Sequence, residues 1–279
     1  MEQGEESLVY NLSSNAQGDL IAGACENGSV KLFRVEKNEL HPVQVLASHK
    51  SAVFDVIFAD NETIVSGSYD GTVCFWKKEG GAYRLSGSLQ VFQGAINALS
   101  SQDGKTVFCG CSDGKIRKIE DGAVVGEEAA HRHGVFGISV FKELVVSGGM
   151  DGSVKITSAK DLSLIRELRE HEGPVRDCKV CPSAYGALMF ATCSDDGTVV
   201  VYTEENEGEG KESEKDAKED AVLKRLRTYR IKVGEPCLKL AWSRSGFALG
   251  VGCEGGSEKV YVPHGAAQWK ESSDILCKK

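Results

Sequence analysis

No stretch of eighteen consecutive apolar residues occurs in the 279-residue chain, so no segment reads as a membrane-spanning helix. The opening MEQGEES is acidic where a secretory leader would be basic and then apolar, which predicts a chain that stays on the cytosolic side. Basic stripes are missing as well. Of the net charge of −8, the share between Glu204 and Asp220 is −6, with nine acids against three lysines. The body is nearly neutral and offers no patch for phosphates, so no direct nucleic-acid contact is expected. The ten cysteines form no disulfide framework of the kind that staples a small secreted domain; they lie singly in apolar segments such as VCFW around Cys74 and read as reduced core residues. Two close pairs, Cys109 with Cys111 and Cys178 with Cys181, lack the matched second pair or spaced histidines that structural zinc needs. Also missing are a nucleophile elbow and a phosphate-binding glycine loop, so neither enzyme activity nor a cofactor is expected.

What the chain does contain is a repeat. An apolar strand, a tight polar turn and a second apolar strand recur six times. The copies are LIAGACENGSVKLF from Leu20, IVSGSYDGTVCFW from Ile64, VFCGCSDGKIRKI from Val107, LVVSGGMDGSVKI from Leu144, MFATCSDDGTVVVY from Met189 and, more loosely, ALGVGCEGGSEKVYV from Ala248. Their turn positions, Asn27, Asp70, Asp113, Asp151, Asp196 and Ser257, are 43, 43, 38, 45 and 61 residues apart. The acidic run 204–220 accounts for the long last interval. Asn-Gly and Asp-Gly between β-rich runs predict two-residue hairpins, because these residues accept the positive φ angles such turns require.

Ahead of several hairpins stands another strand opened by histidine: HKSAVFDVIF from His49, HGVFGISVF from His133 and HEGPVRDCKV from His171. A fourth, more polar strand follows, as in PVQVLA from Pro42, YRLSGSL from Tyr83 and LIREL from Leu164. Four strands per repeat make one propeller blade. The expected architecture is all-β, a single six-bladed propeller over 1–279. The blades fall near 7–46, 49–90, 93–127, 131–168, 171–232 and 236–272, with 204–220 as an unfolded acidic insertion. Asp55 and Asp177 fall at equivalent strand positions, which fits a structural repeat better than catalysis.

The segment SHKSAVFDVIF with IVSGSYDGTVCFW resembles the WD-repeat consensus. That resemblance implies a hydrogen-bonded tetrad bracing the second blade: His49, a serine that is either Ser66 or Ser68, Asp70 and Trp76. Phe33, Ile119, Thr157 and Tyr202 replace the tryptophan elsewhere, and Gln93 and Gly94 stand near the third repeat's histidine position, so those blades are expected to depend on packing. Taken in order, the segments resemble the Sec-thirteen family, the small WD-repeat subunit of the COPII outer coat, which also serves in the Y-shaped scaffold of the nuclear pore. SDGKIRKI without tryptophan, SGGMDGSVKI, the stretch from HEGPVRDCKV to VVVY, LKLAWSRSGFALGVGCEGGSEKVYV and QWKESSD carry the likeness; Pro263, in place of an aromatic residue, departs from it. The resemblance implies a scaffold protein at the COPII vesicle coat on the ER membrane, in ER-to-Golgi transport, or at the nuclear pore. Its implied partners are a blade-donating large cage subunit and a pore-scaffold nucleoporin, with the membrane reached only through the coat.

Topology points the same way. Only seven residues precede the first strand, LVYNL from Leu8, so the N-terminus holds no spare strand to complete the last blade. The expectation is an open propeller completed by a partner. Candidate seam residues are Leu8, Tyr10 and Ile21 at one end and Leu240, Trp242, Phe247 and Leu249 at the other. An alternative function is a WD-repeat peptide-recognition adaptor, with Arg132 and Arg176 near the strand entrances receiving an acidic peptide, or another small propeller nucleoporin of the pore scaffold.

Overall fold

The computed structural model describes residues 7–37, 39–182, 187–204, 226–264 and 268–272. Most of the acidic run, 205–220, lies outside the described residues. Twenty-four strands among the described residues form six four-stranded sheets, each built from strands consecutive in sequence. The first sheet is β1 (Val9–Ser14), β2 (Leu20–Cys25), β3 (Ser29–Glu36) and β4 (Glu39–Ala47). The second is β5 (Val53–Phe58), β6 (Thr63–Ser68), β7 (Thr72–Glu79) and β8 (Ala82–Gln90). The third is β9 (Ile96–Ser101), β10 (Thr106–Cys111), β11 (Lys115–Glu120) and β12 (Ala123–Ala129). In the fourth the strand order is β13 (Val135–Phe141), β14 (Leu144–Gly149), β15 (Val154–Ser158) and β16 (Leu164–Leu168). The fifth is β17 (Val175–Val180), β18 (Met189–Ser194), β19 (Thr198–Glu204) and β20 (Leu226–Lys232). The sixth is β21 (Cys237–Trp242), β22 (Leu249–Cys253), β23 (Glu258–His264) and β24 (Gln268–Glu271). Among the described residues, no sheet draws strands from both ends of the chain.

The chain comprises two compact units, Met1–Lys142 and Glu143–Lys279. In the first unit, period-2 alternation gives each sheet two apolar faces, and sheets stack by burying both. Ala22, Ala24, Val30 and Leu32 of the first sheet pack on Val53, Val56, Ile64, Cys74 and Trp76 of the second. The second sheet's opposite face, Val65 and Val73, meets Ile96, Leu99, Val107 and Cys109 of the third. Each sheet thus has a leading face toward the preceding sheet and a trailing face toward the next. The sheets approach so closely that a Cβ on Gly67 would stand 2.6 Å from Ile96 Cγ2. In the second unit the fifth sheet's trailing face, with Ala191, Cys193, Val199 and Val201, packs on Cys237, Leu240, Leu249, Val251 and Tyr261 of the sixth.

The hairpin turns differ from the two-residue type. Ser68 and Thr72 flank three residues, Tyr69, Asp70 and Gly71, and only Gly71 takes a positive φ, of 78°. Gly71 N–H donates to Ser68 O at 3.1 Å and the Asp70 carboxylate receives Thr72 N–H at 2.9 Å, so the aspartate shapes the turn through its side chain and not through its own φ. This is the three-residue loop in which a β-turn is followed by a left-handed glycine. The nine described cysteines are all buried free thiols. Burial drives the thiols of Cys178 and Cys193 upward and that of Cys237 up to about 12, so they sit as inert apolar core.

Candidate functional site

The second sheet carries a polar chain through its leading face. Trp76 Nε1–H donates to Ser66 Oγ at 2.9 Å, Ser66 Oγ lies 2.7 Å from His49 Nε2, His49 Nδ1 lies 2.8 Å from Thr72 Oγ1, and Thr72 Oγ1–H donates to Asp70 Oδ1 at 2.5 Å. One arrangement satisfies every group: His49 neutral with its proton on Nδ1, the Ser66 hydroxyl donating to Nε2, and Thr72 passing the bond on to Asp70. The structure therefore brings His49, Ser66, Asp70 and Trp76 together, with Ser66 as the serine. Ser68 instead donates to Ala52 O. Asp70 Oδ1 is 3.7 Å from His49 Nδ1, so Thr72 is the link that sequence reasoning missed. Its signal was the hydroxyl repeated after the turn glycine, as Ser29, Thr72, Ser153 and Thr198. Burial holds His49 below the usual imidazole range, against the pull of Asp70. Burial pushes Asp70 upward, but bonds from the Thr72 hydroxyl and from the Lys50 and Thr72 amides outweigh it and hold the carboxyl low.

The fifth sheet repeats the device. His171 lies 2.7 Å from Thr192 Oγ1 and 3.0 Å from Thr198 Oγ1, and Thr198 donates to Asp196 at 2.7 Å. Tyr202, in the tryptophan position, stacks on Phe190 with centroids 4.5 Å apart. In the fourth repeat the buried histidine is His131, not His133, which is exposed. Like His49 and His171, His131 stands four residues before the first strand residue of its repeat. The third repeat is held by charge where packing was expected. Arg117, 5% exposed, donates twice to Asp113 at 3.1 and 2.7 Å and once to Glu127 at 3.1 Å, and stacks 4.4 Å over the Phe92 ring.

Asp55 and Asp177, at equivalent positions, clamp neighbouring first strands. Asp55 accepts from Leu99 N–H at 2.6 Å and from the Asn11 amide, and Asp177 accepts from Leu240 N–H at 3.0 Å. Both carboxylates are thereby occupied in structure.

One face lacks this packing. Register places Val9 and Leu12 of β1 opposite Cys25 and Gly23, as Val53 and Val56 of β5 stand opposite Ser68 and Ser66. The counterparts of Val9 in the other five sheets, Val53, Ile96, Val135, Val175 and Cys237, are 0% exposed, and those of Leu12 are at most 5%. Val9 is 47% exposed and Leu12 61%. Ile21, Phe33 and Val35 are half-buried on the same face, and Leu40 and Val45 of its outer strand are exposed. The sixth sheet's trailing face is carried by Ala241, Gly250, Gly252, Glu258, Val260 and Val262, none of them buried, where the second sheet buries Val65 and Val73.

The seam residues named from sequence divide accordingly. Ile21 lies on the open face. Leu8 and Tyr10 are exposed beside it, Tyr10 edge-to-face with Phe54 at 5.2 Å. Leu240 and Leu249 are buried against the fifth sheet, and Trp242 joins that core, donating from Nε1 to Lys179 O at 2.9 Å; alternation turns these three to the leading face of their sheet. Phe247 is exposed in the turn before β22. Val9 and Leu12 were missed, although their spacing matches Val53 and Val56. As for an acidic-peptide site, Arg176 is engaged by Asp195 in two bonds of 2.8 and 2.5 Å, while Arg132 is exposed.

The WD domain, G-beta repeat model matches residues 40–77, 85–118 and 162–203. Protein transport protein sec13 of Aspergillus clavatus is 23% identical over 96% of this chain and 99% of its own. SEC13-2 of Candida glabrata is 23% identical over 97% of this chain and 98% of its own, and the Yarrowia lipolytica SEC13 is 25% identical over 96% and 93%. Among solved structures, a chain in the crystal structure of the mitotic checkpoint complex superposes with a TM-score of 0.76 at 16% identity, covering 94% of this chain and 76% of that one, a likeness of fold. Six sheets of consecutive strands, the repeat match and relatives aligned from end to end give one conclusion: the chain is a six-bladed β-propeller with WD repeats, similar over nearly its whole length to the Sec13 protein transport proteins.

Proposed function

We propose that the chain is a structural, non-enzymatic subunit of the COPII outer coat in protein transport, and that β-strands donated by a larger coat subunit cover the leading face of its first sheet. The observation that carries this reading is the exposure of Val9 and Leu12 at positions that five other sheets bury. An apolar sheet face of this kind is a template for added β-structure. The names of the aligned relatives, protein transport proteins, support the setting. A stiff stack of sheets suits a load-bearing element of a curved coat, and the chain reaches the membrane only through that coat.

Co-expression with the large coat subunit tests the proposal. A soluble stoichiometric complex that is lost in Val9→Asp and Leu12→Asp variants is the expected result. A monodisperse chain that binds no such subunit, or variants that bind it unchanged, would contradict it.

A further inference from the structure

The open face of the first sheet is mostly apolar, and at its centre Lys31 of β3 stands half-buried between Phe33 and the outer strand. Its ammonium group makes no hydrogen bond or ion pair among the described residues, and the residue across from it on β4 is Val45. The repeats show what this position requires when it holds a cation. Arg117 of β11 occupies it in the third sheet, and the residue across is Glu127, bonded at 3.1 Å. In the second unit Lys155 of β15 occupies it, and the residue across is Glu167, at 3.9 Å. Lys259 of β23 finds Glu235 at 2.8 Å from the loop before its sheet. Where the position is uncharged, as Cys74 opposite Ser88, no acid accompanies it. Among the described residues, Lys31 is the cation of this set with no carboxylate bonded to it: Val45 replaces the acid, and Asn27 replaces the turn aspartate.

We infer that the strand covering this face presents an aspartate or glutamate to Lys31, inside a surround of Val9, Leu12, Phe33 and Val45. The inference rests on the coat-subunit reading above and adds the chemistry of the partner's contact. Once the face is covered, an ammonium group without a counter-charge would be costly, whereas a paired one fixes the register of the incoming strand.

The test uses the intact complex of the chain with the large chain that co-purifies with it. A water-soluble carbodiimide joins amines to touching carboxylates without a spacer, and the products are mapped by mass spectrometry. Accessibility of Lys31 to an acetylating reagent is measured in parallel, free and in complex. The expected results are a Lys31 amide to an Asp or Glu of the partner, protection of Lys31 from acetylation, and a dissociation constant raised about thirtyfold by Lys31→Met but little changed by Lys31→Arg. Because the Lys31 ammonium group makes no bond among the described residues, Lys31→Met leaves the melting temperature of the isolated protein unchanged, which separates binding from folding. Protection of Lys31 with no partner carboxylate coupled, and wild-type affinity in Lys31→Met, would overturn this inference and leave the covered face intact. Acetylation of Lys31 at the same rate in complex and alone would overturn the covered face itself.

Discussion

His49 and His171 each sit in a bond chain that accommodates only the neutral ring, because protonation of Nε2 would remove the acceptor for Ser66 or Thr192. Burial lowers both pKa values below the unfolded value near 6.5, so the unfolded chain takes up protons first as acid is added. Stability is complete above that value and falls as pH drops from 6.5 toward the folded pKa, by up to about 1.4 kcal/mol per pH unit for each histidine. A second loss follows at lower pH, as Asp70 and Asp196, held low in the fold, take up protons. Urea melts between pH 7.5 and 5 measure the first slope. The double variant His49→Asn with His171→Asn should flatten it, and an unchanged slope would count against the assignment.

Arg117 supplies a second residue-scale prediction. Arg117→Met leaves Asp113 without its bidentate partner at the third turn and should cost about 3 kcal/mol in urea unfolding, whereas pairing it with Asp113→Asn should recover part of that loss. Much at this scale was open to reading: the histidine, the turn aspartate and the tryptophan each have a fixed place in the repeat. Thr72 was hidden because a small hydroxyl carries no distinctive signal, and His131 because His133 lies two residues away in the same charged segment. Arg117 was masked by its charge, since a lysine or arginine in a strand normally reads as surface.

At the scale of the strand and hairpin, what the turns announced was decisive. Asp-Gly between two β-rich runs located the hairpins through the left-handed glycine, as at Gly71, although the loop proved to be three residues long. Which face each strand buries was harder to read. Alternation separates Leu240 from Ala241, but it does not tell which of the two meets a neighbouring sheet. That depends on sheet order, and so three of the residues assigned to a seam belong to core. The same logic gives a contrast between equivalent positions. Val53→Asp and Val56→Asp place a carboxylate in a closed interface and should abolish folding, with a cost of several kcal/mol. Val9→Asp and Leu12→Asp put the same group on an open face and should leave circular dichroism and the melting temperature of the isolated chain within about 0.5 kcal/mol of the parent. Equal damage from both pairs would mean that the first sheet is packed like the others.

At the scale of the molecule, six sheets are each complete in their own strands, and among the described residues no sheet is shared between the two ends of the chain. Most folds of this kind gain closure from such sharing, and the count of six repeats, each with four strands of its own, made the self-contained sheets legible. The contribution of the proposed partner could not be read from this sequence, because it would lie in another chain. Taken alone, the protein should self-associate through its open face as concentration rises, and light scattering should show that tendency disappear when the large coat subunit is supplied. The most direct measurement places a thiol on that face. In a Leu12→Cys variant that also carries Cys277→Ser, the nine described native cysteines are buried and react slowly, so alkylation reports on position 12. The account predicts rapid labelling of the free chain and at least about tenfold protection in the intact complex. Labelling at the same rate in both states, with the complex still assembled, would contradict it.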